Sequence, residues 1–432
     1  MQKHNISIIT LGCSKNVVDS EVLMRQLESS NINIEHDSYS QNTNTVVINT
    51  CGFISDAKEE SINTILRFSK EKEDGNIKNL FVMGCLSQRY KSELEKEIPN
   101  VDKYFGVSEF KNIVEEIGAD YRKELVGERK LSTPKHFAYL KISEGCDRTC
   151  SFCAIPLIRG KHISKPIEIL VSEAKYLASI GVKELILIAQ DLTYYGNDIY
   201  KKQALAELLD SLVEIDGIEW IRLHYAYPAN FPVDVLQKIK NHPKICNYLD
   251  IPFQHFSNSV LQKMKRRTNK NESLDLIEKI RQENPNIALR TTILVGHPGE
   301  TDKDFQQLFE VLSEVKFDRL GVFTYSEEED TFAAEKYEDN IPEETKNQRK
   351  EEILELQQGI SMEHNLKMIG RNYKVLIDRL EGDFYIGRTE FDSPEVDNEI
   401  LISSTENQLK IGEFYDVKLN RAEEYDIYGE IV

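Results

Sequence analysis

Short β-branched runs alternate with longer amphipathic stretches through most of this chain. Residues 6–11, 46–50 and 80–83 read as buried strands, and helical periodicity follows over 17–27, 56–68 and from about 91. Each strand closes on a glycine next to a cysteine: Gly12-Cys13, Cys51-Gly52 and Gly84-Cys85. Strand–helix alternation predicts a parallel sheet, and such sheets place ligands at the C-terminal strand edge. The three cysteines therefore converge on one edge.

A charged stretch over 118–135, with Gly127 and Pro134, reads as a linker. Strand-like runs then recur at 137–142, 184–189, 220–224, 248–251, 287–294 and 319–324, with helices such as 166–180, 273–281 and 302–315 between them. Six β-then-α units predict a partial (β/α)6 barrel whose mouth lies at the strand C-termini. Polar residues follow these strands: Gln190 and Asp191, His224 and Tyr225, Gln254 and His255, Tyr325 and Ser326, and the turn Gly296-His297-Pro298-Gly299-Glu300. Any one of them serves a turn as readily as a ligand. Their recurrence favours a site, and glycine at 296 permits close backbone approach.

From 342 a charged helix keeps Ile353, Leu356 and Ile360 on one face, so it packs on the barrel. Beyond 370, short runs at 373–377, 384–387, 399–402 and 414–419, punctuated by glycines, predict a small all-β barrel. The α/β chain thus divides into an N-terminal parallel α/β domain (1–125), the central barrel (134–365) and the small barrel (370–432).

Composition narrows the function. Apolar residues make up 40% and charged residues 29%, as in soluble globular proteins. No run of eighteen apolar residues occurs, and the N-terminus does not resemble a signal peptide, which predicts a cytoplasmic protein with no membrane partner. A net charge of -19 argues against a protein built to grip nucleic acid, and leaves room for a basic protein partner. Residues 371–432 alone hold seven Lys and Arg against fifteen Asp and Glu. That acidity would draw a basic protein and repel a phosphate backbone.

The densest chemistry is Cys146-Asp147-Arg148-Thr149-Cys150-Ser151-Phe152-Cys153. Three thiolates at this spacing can hold three irons of a cubane and leave the fourth open. Zinc would need a fourth ligand, and the nearest candidate, His162, lies beyond Pro156 and Gly160. Cys13, Cys51 and Cys85 occupy equivalent strand ends. They read as ligands of a second iron–sulfur cluster with its own open iron, against the plainer reading of three buried structural cysteines. Cys246 reads as a small core residue, and His297 as a turn residue.

CxxxCxxC with an aromatic before the last Cys resembles the radical S-adenosylmethionine (SAM) superfamily. The resemblance implies that the open iron chelates SAM and that Phe152 lies against the adenine. The order of the whole chain is similar to the methylthiotransferases, with a three-cysteine domain, a radical SAM barrel and a TRAM domain. Thr10-Leu11-Gly12-Cys13-Ser14-Lys15-Asn16, followed by Asp19-Ser20-Glu21, looks most like the branch that modifies ribosomal protein S-twelve, and so does the segment 387–397. The resemblance implies two 4Fe-4S clusters, held by Cys13, Cys51 and Cys85 and by Cys146, Cys150 and Cys153. It also implies SAM held with help from Gln190, Asp191 and the Gly296 turn. One SAM would donate a methyl group to sulfur at the first cluster. Another would be cleaved to a 5′-deoxyadenosyl radical at the second, with electrons from a separate donor. The product would be an aspartate methylthiolated on its β-carbon. A tRNA methylthiotransferase is the alternative within the family; an electron-transfer protein, which needs no SAM cavity, is the alternative outside it.

Overall fold

The computed structural model describes residues 5–40, 42–405 and 408–432. The N-terminal unit runs β1 (Asn5–Thr10), α1 (Ser14–Glu28), β2 (Asn33–His36), β3 (Thr45–Thr50), α2 (Ser55–Glu73), β4 (Asn79–Gly84), α3 (Cys85–Glu97), β5 (Lys103–Tyr104) and α4 (Phe110–Glu116). Its sheet is parallel with order β2-β1-β3-β4-β5. β3 is buried along its whole length, as a parallel strand covered on both faces must be. The edge strands β2 and β5 are short and half polar, and periodicity gave no sign of them.

The central unit comprises β6 (Phe137–Lys141), β7 (Ser143–Glu144), α5 (Ile155–Arg159), β8 (Ile163–Ser164), α6 (Ile167–Ser179), β9 (Glu184–Ile188), α7 (Leu205–Val213), β10 (Trp220–Leu223), α8 (Asp234–Asn241), β11 (Ile245–Asp250), α9 (Asn258–Lys263), α10 (Lys270–Glu283), β12 (Ala288–Val295), α11 (Asp302–Val315), β13 (Arg319–Thr324), α12 (Phe332–Lys336) and the long α13 (Glu343–Met368). Six parallel strands lie in sequence order from β6 to β13. The two edge strands do not pair, so the barrel is partial. Leu185, Leu187, Ile221, Leu223, Leu249 and Leu289 face the helices in one large core. The alternate residues face inward.

That inner face is divided. Along β6 and β9, Phe137, Tyr139, Ile186 and Ile188 pack in one cluster with Val18 of α1. Toward the N-termini, Trp220, Cys246, Tyr248 and Ala288 pack on Leu376, Phe391 and Phe414 of the third unit. Cys246 is thus the small core residue expected, although it lies within β11 and not before it.

The third unit is β14 (Asn372–Glu381), β15 (Phe384–Arg388), β16 (Glu399–Ser403), β17 (Phe414–Ala422) and β18 (Asp426–Ile431), closed in the order β14-β15-β16-β18-β17. Its loop over 389–398 meets the inner face of the large barrel through buried charges. Arg319 donates to Asp392 at 3.0 Å, Arg290 to Asp397 at 3.3 Å, and the Tyr248 hydroxyl to Asp397 at 2.8 Å. Arg222, fully buried, donates to Glu184 at 2.8 Å and to the Glu390 carbonyl at 2.7 Å. Asp378 takes His136 at 2.7 Å. The acidity of this unit is therefore not all surface. Asp378, Asp392 and Asp397 pair with groups of the central unit, and the Glu390 carboxylate accepts from Asn247. Glu406, another of the fifteen acids, lies outside the described residues.

The stretch over 118–135 is a fastening and not a free tether. Arg129 is 1% exposed and stands 3.2 Å from both Glu21 of α1 and Glu173 of α6. Its partners lie far off in the chain, so its charge looked solvated in sequence.

His224, His255 and His297 of the central unit are buried and neutral. Burial, with the guanidinium of Arg222 adding to it, holds His224 well below its usual value, and burial lowers His255 to about 3 and His297 to about 4. An unfolded chain takes up these protons first as pH falls below 6.5, so stability is lost on acidification through that point. Each histidine should cost about 2 kcal/mol by about pH 5. Urea denaturation across this range should show the decline, and His224→Gln, which keeps a partner for the Ser393 hydroxyl that His224 meets at 2.9 Å, should remove about a third of it.

Candidate active site

β1, β3 and β4 are neighbours in the first sheet, and a cysteine follows each. Cys13 precedes α1, Cys51 follows β3 directly, and Cys85 is the first residue of α3. Glycine makes the approach possible. Gly12 has φ +91, and a Cβ there would stand 2.6 Å from the Cβ of Cys51. Gly84, at φ +104, would collide with the Thr50 carbonyl at 2.5 Å. A glycine N-cap also lets α3 begin at Cys85, earlier than the periodicity indicated. Cys51 and Cys85 are buried, whereas Cys13 is exposed.

The other three cysteines lie on the loop after β7, at the mouth of the partial barrel. The Cys146 sulfur accepts from the Arg148 backbone N–H at 3.4 Å, and the Cys150 sulfur from Arg266 at 3.5 Å. The loop ends in α5, whose Ala154 and Ile158 flank pack on Cys85 of the first domain. The helix that follows the second triad thus packs on a cysteine of the first.

Burial pushes the Cys146 thiol up to about 11 and those of Cys153 and Cys85 to about 12. Thiols so placed stay protonated unless a bound metal displaces the proton. Each triad offers three sulfurs and no fourth ligand, the donor set of an iron–sulfur unit with an open iron. His162 Nε2 lies 2.9 Å from Ser164 Oγ. Among the described residues no three His, Cys, Asp or Glu converge on a single metal ion, and a cubane, being much larger than an ion, needs its cysteines further apart. Ser14 and Ser87 beside the first triad, and Ser143 and Gln190 at the mouth, each bury a polar atom with no protein partner. The surroundings therefore fit such groups.

The residues predicted to hold SAM have distinct placements. Phe152 is half-buried, its ring edge-on to His297 at 6.3 Å in a cluster with Met264, Leu294 and Tyr325. His297 is more than a turn residue, since it is fully buried and its Nε2 lies 3.2 Å from Ser151 Oγ. Gln190 donates to Glu144 at 3.0 Å. Asp191 is 1% exposed, accepts from Arg148 at 2.7 Å and caps Thr193. Arg148 in turn lies over Tyr194 and Tyr227. Gly296 makes room for the stem of Lys346, which a Cβ would meet at 2.4 Å, and its N–H donates to Glu300 at 2.6 Å.

Sequence reasoning passed over the charged residues that join the triads. Arg159, at the end of α5, donates to Asp19 at 3.2 Å, Glu144 at 2.9 Å and Asn16 at 2.7 Å, and lies 3.4 Å from the Cys85 sulfur. Lys141 bonds Asp19 and, at 2.7 Å, Glu144. Lys15 covers the Tyr225 ring at 3.3 Å, while Lys58 and Arg89 both reach Glu328. The one signal on offer was Lys141 itself, a charge ending an otherwise apolar strand.

Residues 140–312 match the radical SAM superfamily, residues 369–432 the TRAM domain, and residues 5–106 a family described only as uncharacterized protein family UPF0004. The molecule is a radical SAM enzyme carrying a TRAM barrel. It is 56% identical over 432 residues, all of both chains, to a protein of Bacteroides fragilis named ribosomal protein uS12 methylthiotransferase RimO. A protein of the same name from Flavobacterium psychrophilum is 57% identical over 430 residues, covering 100% of this chain and 98% of that one. The chain belongs to the ribosomal protein uS12 methylthiotransferase RimO family. A radical SAM methyltransferase from Kitasatospora setae, TsrM, shares the fold with a TM-score of 0.56 at 13% identity, 75% of each chain being covered. Among the described residues no helix is long and apolar enough to cross a membrane.

Asp191 and Arg148 are both buried, so truncating one leaves the other's charge unpaired. Asp191→Ala should lower the stability of the ligand-free chain by about 3 kcal/mol, read as a fall in melting temperature. An unchanged melt with lost SAM binding would instead make Asp191 a direct ligand contact.

Proposed function

We propose that the enzyme methylthiolates the β-carbon of an aspartate in ribosomal protein uS12. Cys146, Cys150 and Cys153 hold the 4Fe-4S cluster that binds SAM, and Cys13, Cys51 and Cys85 hold a second. The observation that carries this reading is the packing of the helix after one cysteine triad on a cysteine of the other, in a chain of this family. When bound, these cofactors supply the radical and the methylthio group, chemistry that no side-chain acid or base can perform on an unactivated carbon.

The chain's own residues position and enclose. α5 begins two residues after Cys153 and packs on Cys85, so the distance between triads is set by one short helix. Phe152, backed by His297 and Tyr325, presents an apolar wall at the mouth, the surface an adenine ring requires. Arg266 directs a charge-assisted hydrogen bond at the Cys150 sulfur. Gln190 stands beside Glu144 with its carbonyl oxygen unpartnered, available to a SAM donor. The Gly296 turn, braced by Glu300, borders the same mouth. A soluble one-electron donor and a cytoplasmic setting complete the reading, which seven unpaired cysteines support.

Anaerobically reconstituted protein should carry about eight irons, as two cubanes. Replacing Cys146, Cys150 and Cys153 by Ala should halve the iron and abolish SAM cleavage. Replacing Cys13, Cys51 and Cys85 should also halve it, yet leave some 5′-deoxyadenosine formation while methylthiolation stops. Iron equal to the parent's in either variant would defeat the assignment. For the substrate, uS12 binding should weaken as salt rises, without competition from tRNA. Methylthio-adenosine formed in preference to modified aspartate would transfer the activity to tRNA.

A further inference from the structure

Arg159 belongs to the barrel, yet it reaches a cysteine of the other domain. Its side chain is 2% exposed, and both terminal nitrogens are engaged: Nη1 by Asp19 and Glu144, Nη2 by Asn16 and the Cys85 sulfur at 3.4 Å. Asn16 is fixed in turn, donating to the Leu11 and Thr50 carbonyls at 2.7 and 3.0 Å. The guanidinium therefore has one orientation available. Only a planar, multidentate cation meets four acceptors in this way, which a lysine ammonium on a flexible stem does not.

Resting on the reading of Cys13, Cys51 and Cys85 as cluster ligands, we propose that Arg159 is a positioning residue for the second cluster. It donates a charge-assisted hydrogen bond to the Cys85 sulfur from across the domain interface and so sets the charge balance of that cluster. Arg159, Lys141, Asp19 and Glu144 cancel in formal charge, but the cation is the member that touches sulfur. The network thus presents its positive end to Cys85. A cation against a ligand sulfur in a buried site favours the more negative state, because little solvent screens it. In the equilibrium concerned, one electron enters the iron–sulfur unit from a chemical reductant such as dithionite, with no bond made or broken. The link also ties the second cluster to the barrel, since displacing α5 would withdraw the donor from Cys85.

The test uses the full chain with Cys146, Cys150 and Cys153 replaced by Ala, so that only the second cluster is loaded. With ¹⁵N-labelled arginine, pulsed EPR of the reduced cluster should show an arginine nitrogen coupling that Arg159→Lys removes. In a redox titration Arg159→Met should shift the reduction equilibrium at least tenfold toward the oxidised form, about 60 mV for one electron, with Arg159→Lys in between. Should Arg159→Met fail to fold, the nitrogen coupling in the chain that retains Arg159 still decides. A loaded cluster with no arginine coupling, or with a midpoint indifferent to residue 159, overturns the inference alone. A chain retaining Cys13, Cys51 and Cys85 that binds no iron overturns the ligand reading, and the inference with it.

Discussion

A six-stranded barrel that does not close has an inner face it cannot bury against itself, and the rest of this molecule is arranged to cover it. The helices take the outer face with apolar side chains. The inner face carries Lys141, Glu184, Arg222, Tyr248, Asp250, Arg290 and Arg319, which could not be left dry and unpaired without a cost of several kcal/mol each. Both flanking domains answer that requirement with charges of their own.

The two covers are chemically different. On the side of the strand N-termini the TRAM loop brings Asp392, Asp397 and the Glu390 carbonyl to the arginines, so that part of its acidity serves packing and not the surface. At the mouth, Asp19 and Asn16 of α1 meet Lys141 and Arg159. Buried ion pairs contribute little net stability compared with an apolar interface, but they tolerate few alternative alignments. Here that selectivity fixes the docking of the N-terminal domain, and with it the approach of one cysteine triad to the other. A site shared in this way has no complete half. The strand-end loops of the first sheet and the loop after β7 each supply three sulfurs, and α5 and Arg159 of the barrel reach Cys85 of the first domain.

Much of this was legible along the chain. Period-two and period-3.6 patterning located all six strands of the large barrel and four of the five in the small one, because each carries a run of apolar residues that the fold buries. The missed β2, β5, β7, β8 and β18 are edge, two-residue or half-polar strands, for which alternation is weak. Cysteine spacing identified both triads, since strand-end position is a local property and glycine beside cysteine marks a tight approach whatever lies opposite.

What the sequence could not determine was the partnership of its charges. Arg129, Arg159, Arg222 and Arg319 each sit among residues whose local pattern is that of a solvated surface or a strand end, and their partners lie up to 143 positions away for Arg159. Hydrophobic burial is non-directional, so periodicity alone reports it. An ion pair has a partner and a geometry, and only the folded chain brings the two together. The sequence by itself therefore determined most of the elements, their order and the places of the six cysteines. The tertiary structure decided that a linker is a clamp, that an acidic domain spends part of its charge inside, and that one arginine of the barrel reaches a cysteine of the first domain.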